Sequence, residues 1–244
     1  MKTLTIIPSR LAATRLPGKP LLKINGLSII SHVFNRAIEA NIGDVIVATE
    51  DQEIIDDVVG NGGRAILTSK NHKTGTDRIY EALQKLKIND LDLVMNLQGD
   101  EPIIDIADII SLNKKMICNT SKLGTLAAKI SNIKDLENEN LVKVVTKKKI
   151  DKDYFPEAKT FLRNLSKMDN VYHHIGIYCY SIETLEKFVK FNQSKNEIKN
   201  KLEQMRALDN GIPINVALAK SSPIGVDTEE DYLALKKNME YKIK

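Results

Sequence analysis

The sequence predicts an α/β protein in which helices cover both faces of a mostly parallel central sheet. Short runs of valine, isoleucine and leucine alternate with amphipathic segments of helical length through the first half of the chain. Runs that are apolar on both faces are typical of strands in parallel sheets, and the alternation of strand and helix is the order of βαβ units. The length of 244 residues suits one domain of this class.

The order of the predicted elements is clearest in the first half. Strands are predicted at residues 4–7, 45–48, 65–67 and 91–97, with helices at residues 28–40, 52–59 and 77–86. In the second half, strands are predicted at residues 125–130, 141–146, 175–180 and 214–219, with helices at residues 182–188, 197–208 and 229–239. No proline- or serine-rich linker separates the halves. We therefore expect a single domain over residues 1–244 with a smaller strand-rich insertion at about 131–211.

The composition excludes several classes of protein. A hydrophobic fraction of 42% and a charged fraction of 28% are typical of globular proteins. No apolar run approaches the roughly 18 residues that a membrane span needs, and no signal peptide precedes the first strand, so we expect a cytoplasmic chain without membrane insertion. Cys118 and Cys179 lack the spacing of a zinc site or a disulfide framework.

A long basic loop follows the first predicted strand. About twenty residues separate that strand from the first clear helix, whereas such connections usually take about 2 to 6. The loop carries Arg10, Arg15 and Lys19, and it lacks the glycine pattern of a P-loop or of a dinucleotide fold. Ligands of open parallel sheets bind beyond the carboxyl ends of the strands, and arginine forks suit phosphate oxygens. These features favour polyphosphate binding over a solvated basic loop.

Two acidic motifs are candidates for a metal site. The stretch QGDEP places Asp100 directly after a buried strand, and the stretch GVDTEEDY contains Asp227. A Mg²⁺ ion that bridges phosphates binds one or two carboxylates and keeps several waters. Spacing alone also fits a capping box at Thr228 in the second motif and at Thr74 in the stretch TGTDR. From the residues themselves, a helix start and a ligand site both remain open in these two stretches.

The motifs together resemble one enzyme family. In order along the chain they are IPSRLAATRLPGKPLLKINGLSII, IVATEDQEI, GGRAILTSKNHKTGTDRIYEAL, LVMNLQGDEPII, HHIGIYCY, KLEQMRAL and GVDTEEDY. The set resembles the 3-deoxy-manno-octulosonate (Kdo) cytidylyltransferases, also called CMP-Kdo synthetases. This resemblance implies a Rossmann-like nucleotide-diphospho-sugar transferase fold and a nucleotidyltransferase that joins CTP to Kdo, with release of pyrophosphate, for lipopolysaccharide synthesis. It also implies a homodimer, with dimerisation and sugar binding in the insertion.

The resemblance implies a role for each matching residue. The residues implied in catalysis are Arg10, Arg15, Lys19, Asp100 and Asp227, of which the three cations bind the triphosphate and the two acids hold Mg²⁺. The remaining nucleotide-binding residues are Thr74, Gly75, Arg78 and Gln98. The sugar-binding residues are Arg163, His174, Tyr178, Glu203 and Gln204. No general base is assigned.

Residues 147–170 depart from the family pattern and leave the sugar open. Arg163 is aligned with the family's sugar-binding arginine by the local spacing, but the usual Ile-Pro is missing. An 8-amino octulosonate is therefore an alternative substrate, and another sugar nucleotidyltransferase of the same fold is a second alternative. A non-catalytic nucleotide- or RNA-binding module is a remote alternative, because the basic stretches lack interleaved aromatic residues and nucleic acid is not an expected partner.

Overall fold

The computed structural model describes residues 1–12, 15–130, 132–165, 169–220, 222 and 225–241. The strands are β1 (Thr3–Ser9), β2 (Lys23–Ile24), β3 (Leu27–Ser28), β4 (Gly43–Thr49), β5 (Ala65–Leu67), β6 (Leu93–Asn96), β7 (Leu123–Ala128), β8 (Lys143–Thr146), β9 (Ala158–Leu162), β10 (Val171–Ser181) and β11 (Asn215–Leu218). The α-helices are α1 (Ile29–Ala40), α2 (Gln52–Gly60), α3 (Gly75–Leu86), α4 (Ile106–Asn119), α5 (Ile182–Lys190), α6 (Lys195–Asn200), α7 (Met205–Asp209) and α8 (Glu229–Tyr241). Short 3-10 helices lie at Lys19–Leu21 and Ile133–Leu136.

The chain forms two compact units. The N-terminal unit consists of Lys2–Leu91, Asn96–Ile106 and Pro223–Lys244. The central unit consists of Met1, Asp92–Met95 and Ala107–Ser222. None of the helices in the described residues is long and apolar enough to cross a membrane. The expectation of one domain with an insertion at about 131–211 stays a prediction.

The N-terminal unit contains the parallel strands in the order β1-β4-β5. Leu4, Ile6 and Ile7 of β1 are almost completely buried, as predicted for a strand that is apolar on both faces. A second apolar cluster forms where the β2–β3 hairpin and α1 meet the C-terminal segment, through Ile24, Ile29, Val226 and Leu235. This cluster fixes the start of the C-terminal segment within the unit.

The central unit contains the strands in the order β11-β7-β10-β6. The pair β11–β7 is parallel, whereas β10 runs antiparallel to both β7 and β8, and β8 runs antiparallel to β9. The second half of the chain is thus strand-rich, as predicted. These antiparallel pairs are the main departure from a parallel sheet within the unit.

Several elements differ from the prediction. The helix α4 was not predicted, although its buried Ile109, Leu112 and Met116 follow helical spacing. Strand β9 was also not predicted, because its sequence AKTFL has little apolar alternation. The predicted helix at residues 197–208 is divided into α6 and α7, since Lys201 adopts a left-handed conformation with φ of 53° and ends α6.

Candidate active site

One cavity of about 340 Å³ lies at the carboxyl end of β1 in the N-terminal unit. It is lined by all nine residues predicted to bind the nucleotide or the metal: Arg10, Arg15, Lys19, Thr74, Gly75, Arg78, Gln98, Asp100 and Asp227. These residues come from four separate stretches of sequence. His72 and Lys73 line the same cavity and were not predicted. The structure therefore places the predicted nucleotide and metal residues together.

The basic loop is anchored by its backbone. Gly18 adopts a left-handed conformation with φ of 70°, and its N–H donates to the carbonyl of Leu11 at 3.1 Å. The N–H of Leu11 in turn donates to Asp51 Oδ2 at 2.7 Å, where Asp51 follows β4. Pro20, directly after Lys19, is buried. These contacts hold the backbone around Lys19 at the mouth of β1.

The two predicted metal ligands pair with two cations of the loop. The ammonium of Lys19 donates to Asp100 Oδ2 at 2.7 Å and to Asp227 Oδ1 at 3.3 Å. Arg15 Nη2 lies 2.9 Å from Asp227 Oδ2. The side chain of Lys19 is only 13% exposed, whereas that of Arg15 is 63% exposed. The contact of Lys19 with the carboxylates is therefore the better shielded from solvent.

Backbone contacts bring the two carboxylates together. The N–H of Val226 donates to the carbonyl of Asp100 at 3.0 Å, which sets Asp227 beside Asp100. Gly99 passes so close to β1 that a Cβ atom there would lie 3.0 Å from the carbonyl oxygen of Pro8 and 3.2 Å from Ile30 Cδ1. Glycine thus allows the backbone at residue 99 to lie close to β1.

Glu101 follows Asp100 and is a half-buried acid to which the sequence analysis gave no role. Burial, and then the charges of Asp100 and Asp227, raise the pKa of Glu101 to about 8. Its Oε2 has no hydrogen-bond partner among the described residues. The Glu101 carboxyl therefore carries its proton at neutral pH.

Both stretches that fitted a capping box do form one. Thr74 Oγ1 accepts from the N–H of Asp77 at 3.2 Å, and the N–H of Thr74 donates to Asp77 Oδ2 at 3.2 Å. At α8, the N–H of Asp231 donates to Thr228 Oγ1 at 3.2 Å, and the Asp231 carboxylate accepts in return from the N–H of Thr228 at 2.9 Å. The side chain of Asp227 is left for the loop cations, so capping and a ligand role coexist there.

Arg78 lies at the wall of the cavity and is 3% exposed. Its guanidinium forms an ion pair with Glu50, donates to Thr68 Oγ1 at 2.6 Å and donates to the carbonyl of Ser69 at 3.3 Å. Arg78 thus joins the ends of β4 and β5 to α3. Its predicted contact with the nucleotide stays a prediction.

Glu81 of α3 holds the segment that carries His72. Its carboxylate accepts from the N–H of Ser69 at 2.9 Å, contacts His72 Nε2, and lies 2.7 Å from Lys85 Nζ. Burial raises the pKa of Glu81, but the hydrogen bonds from Lys85, Ser69 and His72 outweigh it and lower the pKa to about 2. This carboxylate therefore fixes the position of His72 at the cavity.

The five predicted sugar-binding residues all lie in the central unit. His174 and Tyr178 were expected to share a face of one strand, and their rings are 5.5 Å apart. The pairing of β10 with β7 shifts register between Ile175 and Tyr178. His174 is 8% exposed, packs edge-on against Phe161 at 4.9 Å, and its Nε2 lies 3.0 Å from Thr125 Oγ1.

The buried environment determines the charge state of this pair. Burial, with the charge of His173, lowers the pKa of His174 to about 3. Burial also raises the pKa of Tyr178 well above its ordinary value. Because Thr125 Oγ1 lies 2.6 Å from the carbonyl of Ile177, its hydroxyl proton points there, and we assign the His174 proton to Nε2. Both side chains are neutral donors at physiological pH.

Arg163 contacts three backbone carbonyl groups. It donates to Asn200 at 3.2 Å, to Glu139 at 3.2 Å and to Lys201 at 3.4 Å. Directly beside it lies Lys143, which is fully buried and donates to the carbonyl oxygens of Asn138 at 2.5 Å and Arg163 at 2.7 Å. Burial lowers the pKa of Lys143. The sequence analysis did not identify Lys143 as part of this region.

The segment with Glu203 and Gln204 is anchored by a buried ion pair. Arg206 donates to Glu197 through Nε at 2.9 Å and through Nη2 at 2.5 Å, and the two side chains are 3% and 4% exposed. Gln204 itself is 7% exposed. The ion pair joins α6 to α7, directly after the two predicted sugar-binding residues.

Comparison with known proteins identifies the family. The sequence profile of the family described as Cytidylyltransferase matches residues 4–217. The chain belongs to the cytidylyltransferase family. A 3-deoxy-manno-octulosonate cytidylyltransferase of Thermodesulfovibrio yellowstonii is 42% identical to this cytidylyltransferase over 95% of each chain. One of Afipia carboxidovorans with the same name is 43% identical over 96% of each chain.

A solved structure agrees with this cytidylyltransferase over its whole length. It is a CMP:2-keto-3-deoxy-manno-octonic acid synthetase in complex with CTP. The two chains are 32% identical and align with a TM-score of 0.90, over 99% of this chain and 100% of the synthetase. A cytidylyltransferase of Leptospira borgpetersenii, at 19% identity and a TM-score of 0.67, shares the fold. The predicted α/β class, the resemblance to the family and the nucleotidyltransferase activity are thereby confirmed.

The segment that departs from the family pattern, residues 147–170, belongs to the central unit in its described part. Its Ile150 and Phe155 are buried, and the N–H of Ile150 donates to the hydroxyl oxygen of Tyr172 at 2.9 Å. Lys147 pairs with Glu157 at 2.5 Å across the β8–β9 connection. Strands β8 and β9 thus form a hairpin. Residues 166–168, between β9 and β10, lie outside the described residues. The individual roles implied for the nine cavity residues and the five sugar-binding residues stay predictions.

Proposed function

We propose that this chain is a 3-deoxy-manno-octulosonate cytidylyltransferase, which forms CMP-Kdo and pyrophosphate from CTP and Kdo for lipopolysaccharide synthesis. One observation carries the proposal: the cations of the basic loop and the acids Asp100 and Asp227 line one cavity at the carboxyl end of β1. That position is where ligands bind in open α/β sheets. Relatives with this name match over 95% of the chain and more.

The triphosphate is proposed to bind through charge on side chains. Arg10 and Arg15 offer planar forks that match phosphate oxygens, and Lys19 adds a point charge. The cavity also contains Thr74 and Gly75, at the N-terminus of the 12-residue helix α3. The helix dipole favours negative charge at that end.

A divalent cation, most simply Mg²⁺, fits the acids of the cavity. The Lys19 ammonium lies within hydrogen-bond distance of both Asp100 and Asp227, so one cation can contact both carboxylates at once. Hard oxygen donors are the ligands that Mg²⁺ prefers, and two carboxylates suffice where phosphates and water complete the shell. Among the described residues, no cluster of three or more histidine, cysteine, aspartate or glutamate side chains forms a metal cage. Bound there, Mg²⁺ would neutralise phosphate charge and acidify the attacking hydroxyl.

The proposed reaction is an in-line displacement at the α-phosphorus of CTP. The anomeric hydroxyl oxygen of Kdo forms the new bond to phosphorus, and the bond to the bridging oxygen of pyrophosphate breaks. Such transfers depend mainly on positioning and on electrostatic stabilisation. Arg10, Arg15 and Lys19 would stabilise the leaving pyrophosphate, while Asp100 and Asp227 hold the metal.

The sugar is proposed to bind through the central unit. Arg163 uses three of its five N–H donors on backbone carbonyl groups, which leaves two for the carboxylate of an octulosonate. His174 and Tyr178, both neutral, would contact sugar hydroxyl groups, as would Glu203 and Gln204. A homodimer is part of the proposal on the family resemblance alone, and light scattering should then give the mass of two 27.4 kDa chains.

Pyrophosphate release tests the proposed function. The enzyme is assayed with CTP, UTP and other nucleoside triphosphates against Kdo, 8-amino-Kdo and sialic acid, with and without Mg²⁺. We expect release from CTP with Kdo in the presence of Mg²⁺. Faster release with 8-amino-Kdo than with Kdo would identify 8-amino-Kdo as the substrate. No release from CTP with any ulosonic acid would refute the proposal.

Two substitutions test the role of the acids. Asp100→Asn and Asp227→Asn should each lower kcat by about a hundredfold or more, since a bound metal supplies several kcal/mol of charge stabilisation. Asp44→Asn is the matched control, because the side-chain contact of Asp44 within the described residues is an exposed ion pair with Arg64 at 3.6 Å. Near wild-type kcat in both variants at saturating Mg²⁺ would contradict the metal role.

A further inference from the structure

The ammonium of Lys19 occupies the space between Asp100 and Asp227. It lies 2.7 Å from the first carboxylate and 3.3 Å from the second, and its side chain is 13% exposed. A cation that bridges the two acids must approach the same oxygen atoms. The ammonium and a divalent ion cannot both be there, because two cations at contact distance in a partly shielded site repel strongly.

The side chain of Lys19 can turn away from the two carboxylates without rearrangement of the backbone. The residue opens a short 3-10 helix behind Gly18, the N–H of Leu21 donates to the Gly18 carbonyl at 3.0 Å, and Pro20 is buried. The lysine side chain, however, has four rotatable bonds and a compact charge. The ammonium can therefore turn from the carboxylates toward a phosphate oxygen in the same cavity while the loop stays in place.

We propose that Lys19 controls the entry of the metal. Without nucleotide, Lys19 bridges Asp100 and Asp227 and keeps divalent cations out. When the triphosphate binds, its oxygen atoms attract the ammonium, and both carboxylates become available to the cation that accompanies the nucleotide. The metal thus binds with CTP rather than before it. This inference rests on the proposed function, since it assigns an order of binding to that same cavity.

Metal binding in the absence of nucleotide tests the inference. Mn²⁺ affinity of the intact chain is measured by electron paramagnetic resonance for the wild type and for Lys19→Met. Lys19→Met should bind Mn²⁺ about tenfold more tightly or better, as an adjacent cation typically shifts the pKa of a carboxylate by about one to three units. The same variant should bind CTP more weakly, so the two affinities change in opposite directions.

The control separates occupancy of the site from a general loss of charge. Lys73 lines the same cavity but is not one of the cations that pair with Asp100 or Asp227. Lys73→Met should leave Mn²⁺ affinity within about twofold of the wild type, since exposed charges are screened. Lys19→Gln is measured in parallel, so the test holds if one variant fails to fold.

The outcomes distinguish this inference from the proposed function. Unchanged or weaker Mn²⁺ binding in the Lys19 variants would overturn the inference, as would an equal gain in Lys73→Met. If the wild type still releases pyrophosphate from CTP and Kdo, the proposed function survives that result. If the Lys19 variants bind Mn²⁺ more tightly but the wild type releases no pyrophosphate, the exclusion of metal by Lys19 would be supported and the proposed activity refuted.

Discussion

Replacement of Arg206 by methionine removes one half of the buried ion pair that joins α6 to α7. Arg206 makes two hydrogen bonds to the Glu197 carboxylate and stacks over the Phe188 ring at 4.7 Å. Methionine fills similar space and can keep an apolar contact with the ring. The loss is therefore mainly electrostatic, because the carboxylate stays buried without its cation.

The structure allows the size of this loss to be estimated. Removal of one partner from a buried ion pair typically costs about 3–5 kcal/mol. Glu197 keeps the N–H of Ser194 at 3.1 Å and the Gln193 amide at 3.2 Å, so its charge is not left without donors. We therefore expect the lower end of the range, about 3 kcal/mol of unfolding free energy for Arg206→Met.

The loss should depend on pH. In the wild type, burial raises the pKa of Glu197, but the hydrogen bonds from Arg206, Gln193 and Ser194 lower it overall. A lowered carboxyl pKa gives stability that is present above the ordinary value and is lost as the pH falls. In Arg206→Met burial has the larger effect, so Glu197 protonates more easily. The difference between wild type and variant should shrink as the pH falls from 8 toward 4.

Urea unfolding followed by circular dichroism, at pH 8 and at pH 4.5, measures both effects. The double variant Glu197→Gln with Arg206→Met is the control, because it removes the buried charge together with its partner and should be less destabilised than Arg206→Met alone. Since α7 follows Glu203 and Gln204 directly, Arg206→Met should also raise the KM for Kdo more than the KM for CTP. A loss below about 0.5 kcal/mol at pH 8, the range of ordinary surface substitutions, would refute the reasoning.

Two further predictions follow from groups whose pKa departs strongly from its ordinary value. Glu81→Gln should destabilise the chain at neutral pH. The loss of stability should fade as the pH drops below 4.5 toward about 2, where the wild-type carboxylate also protonates. Thermal unfolding over pH 7 to 3 measures this loss, and a loss independent of pH would contradict the ion-pair explanation. His174 has a pKa of about 3 in the fold, so the unfolded chain takes up a proton below pH 6.5 that the folded chain does not. Wild-type stability should therefore fall with decreasing pH over this range, and the slope should be smaller in His174→Gln; equal slopes would show that His174 is not buried as a neutral group.

The grouping of the cavity residues could be predicted because its information is local. Arg10, Arg15 and Lys19 lie within one loop whose length and place after an apolar strand already indicated a ligand site. The glycine of QGDEP and the acid after it mark the end of another strand. Each of these stretches could be assigned to the carboxyl edge of a sheet without knowledge of long-range contacts.

The contacts within the site could not be predicted, because they join residues far apart in sequence. Nothing in the local sequence indicates that Lys19 reaches Asp227, or that Lys143 donates to the carbonyl of Arg163. The spacing of residues also does not show whether the side chain of a single acid is shielded from water, as for the carboxyl group of Glu101. Helix α4 is a different case, since its apolar spacing was present in the sequence and was overlooked.

The pairing of the basic loop with the two acids has an electrostatic reason. Cations gathered in one loop repel one another, and in a partly shielded cavity this repulsion is costly. Asp100 and Asp227 offset it through Lys19 and Arg15. In the proposed mechanism, the phosphates would pair with Lys19 and Arg15 once nucleotide and metal bind together, and the metal would pair with Asp100 and Asp227. A loop of the same charge without these acids would gain affinity for phosphate but would lose the means to couple nucleotide binding to metal binding.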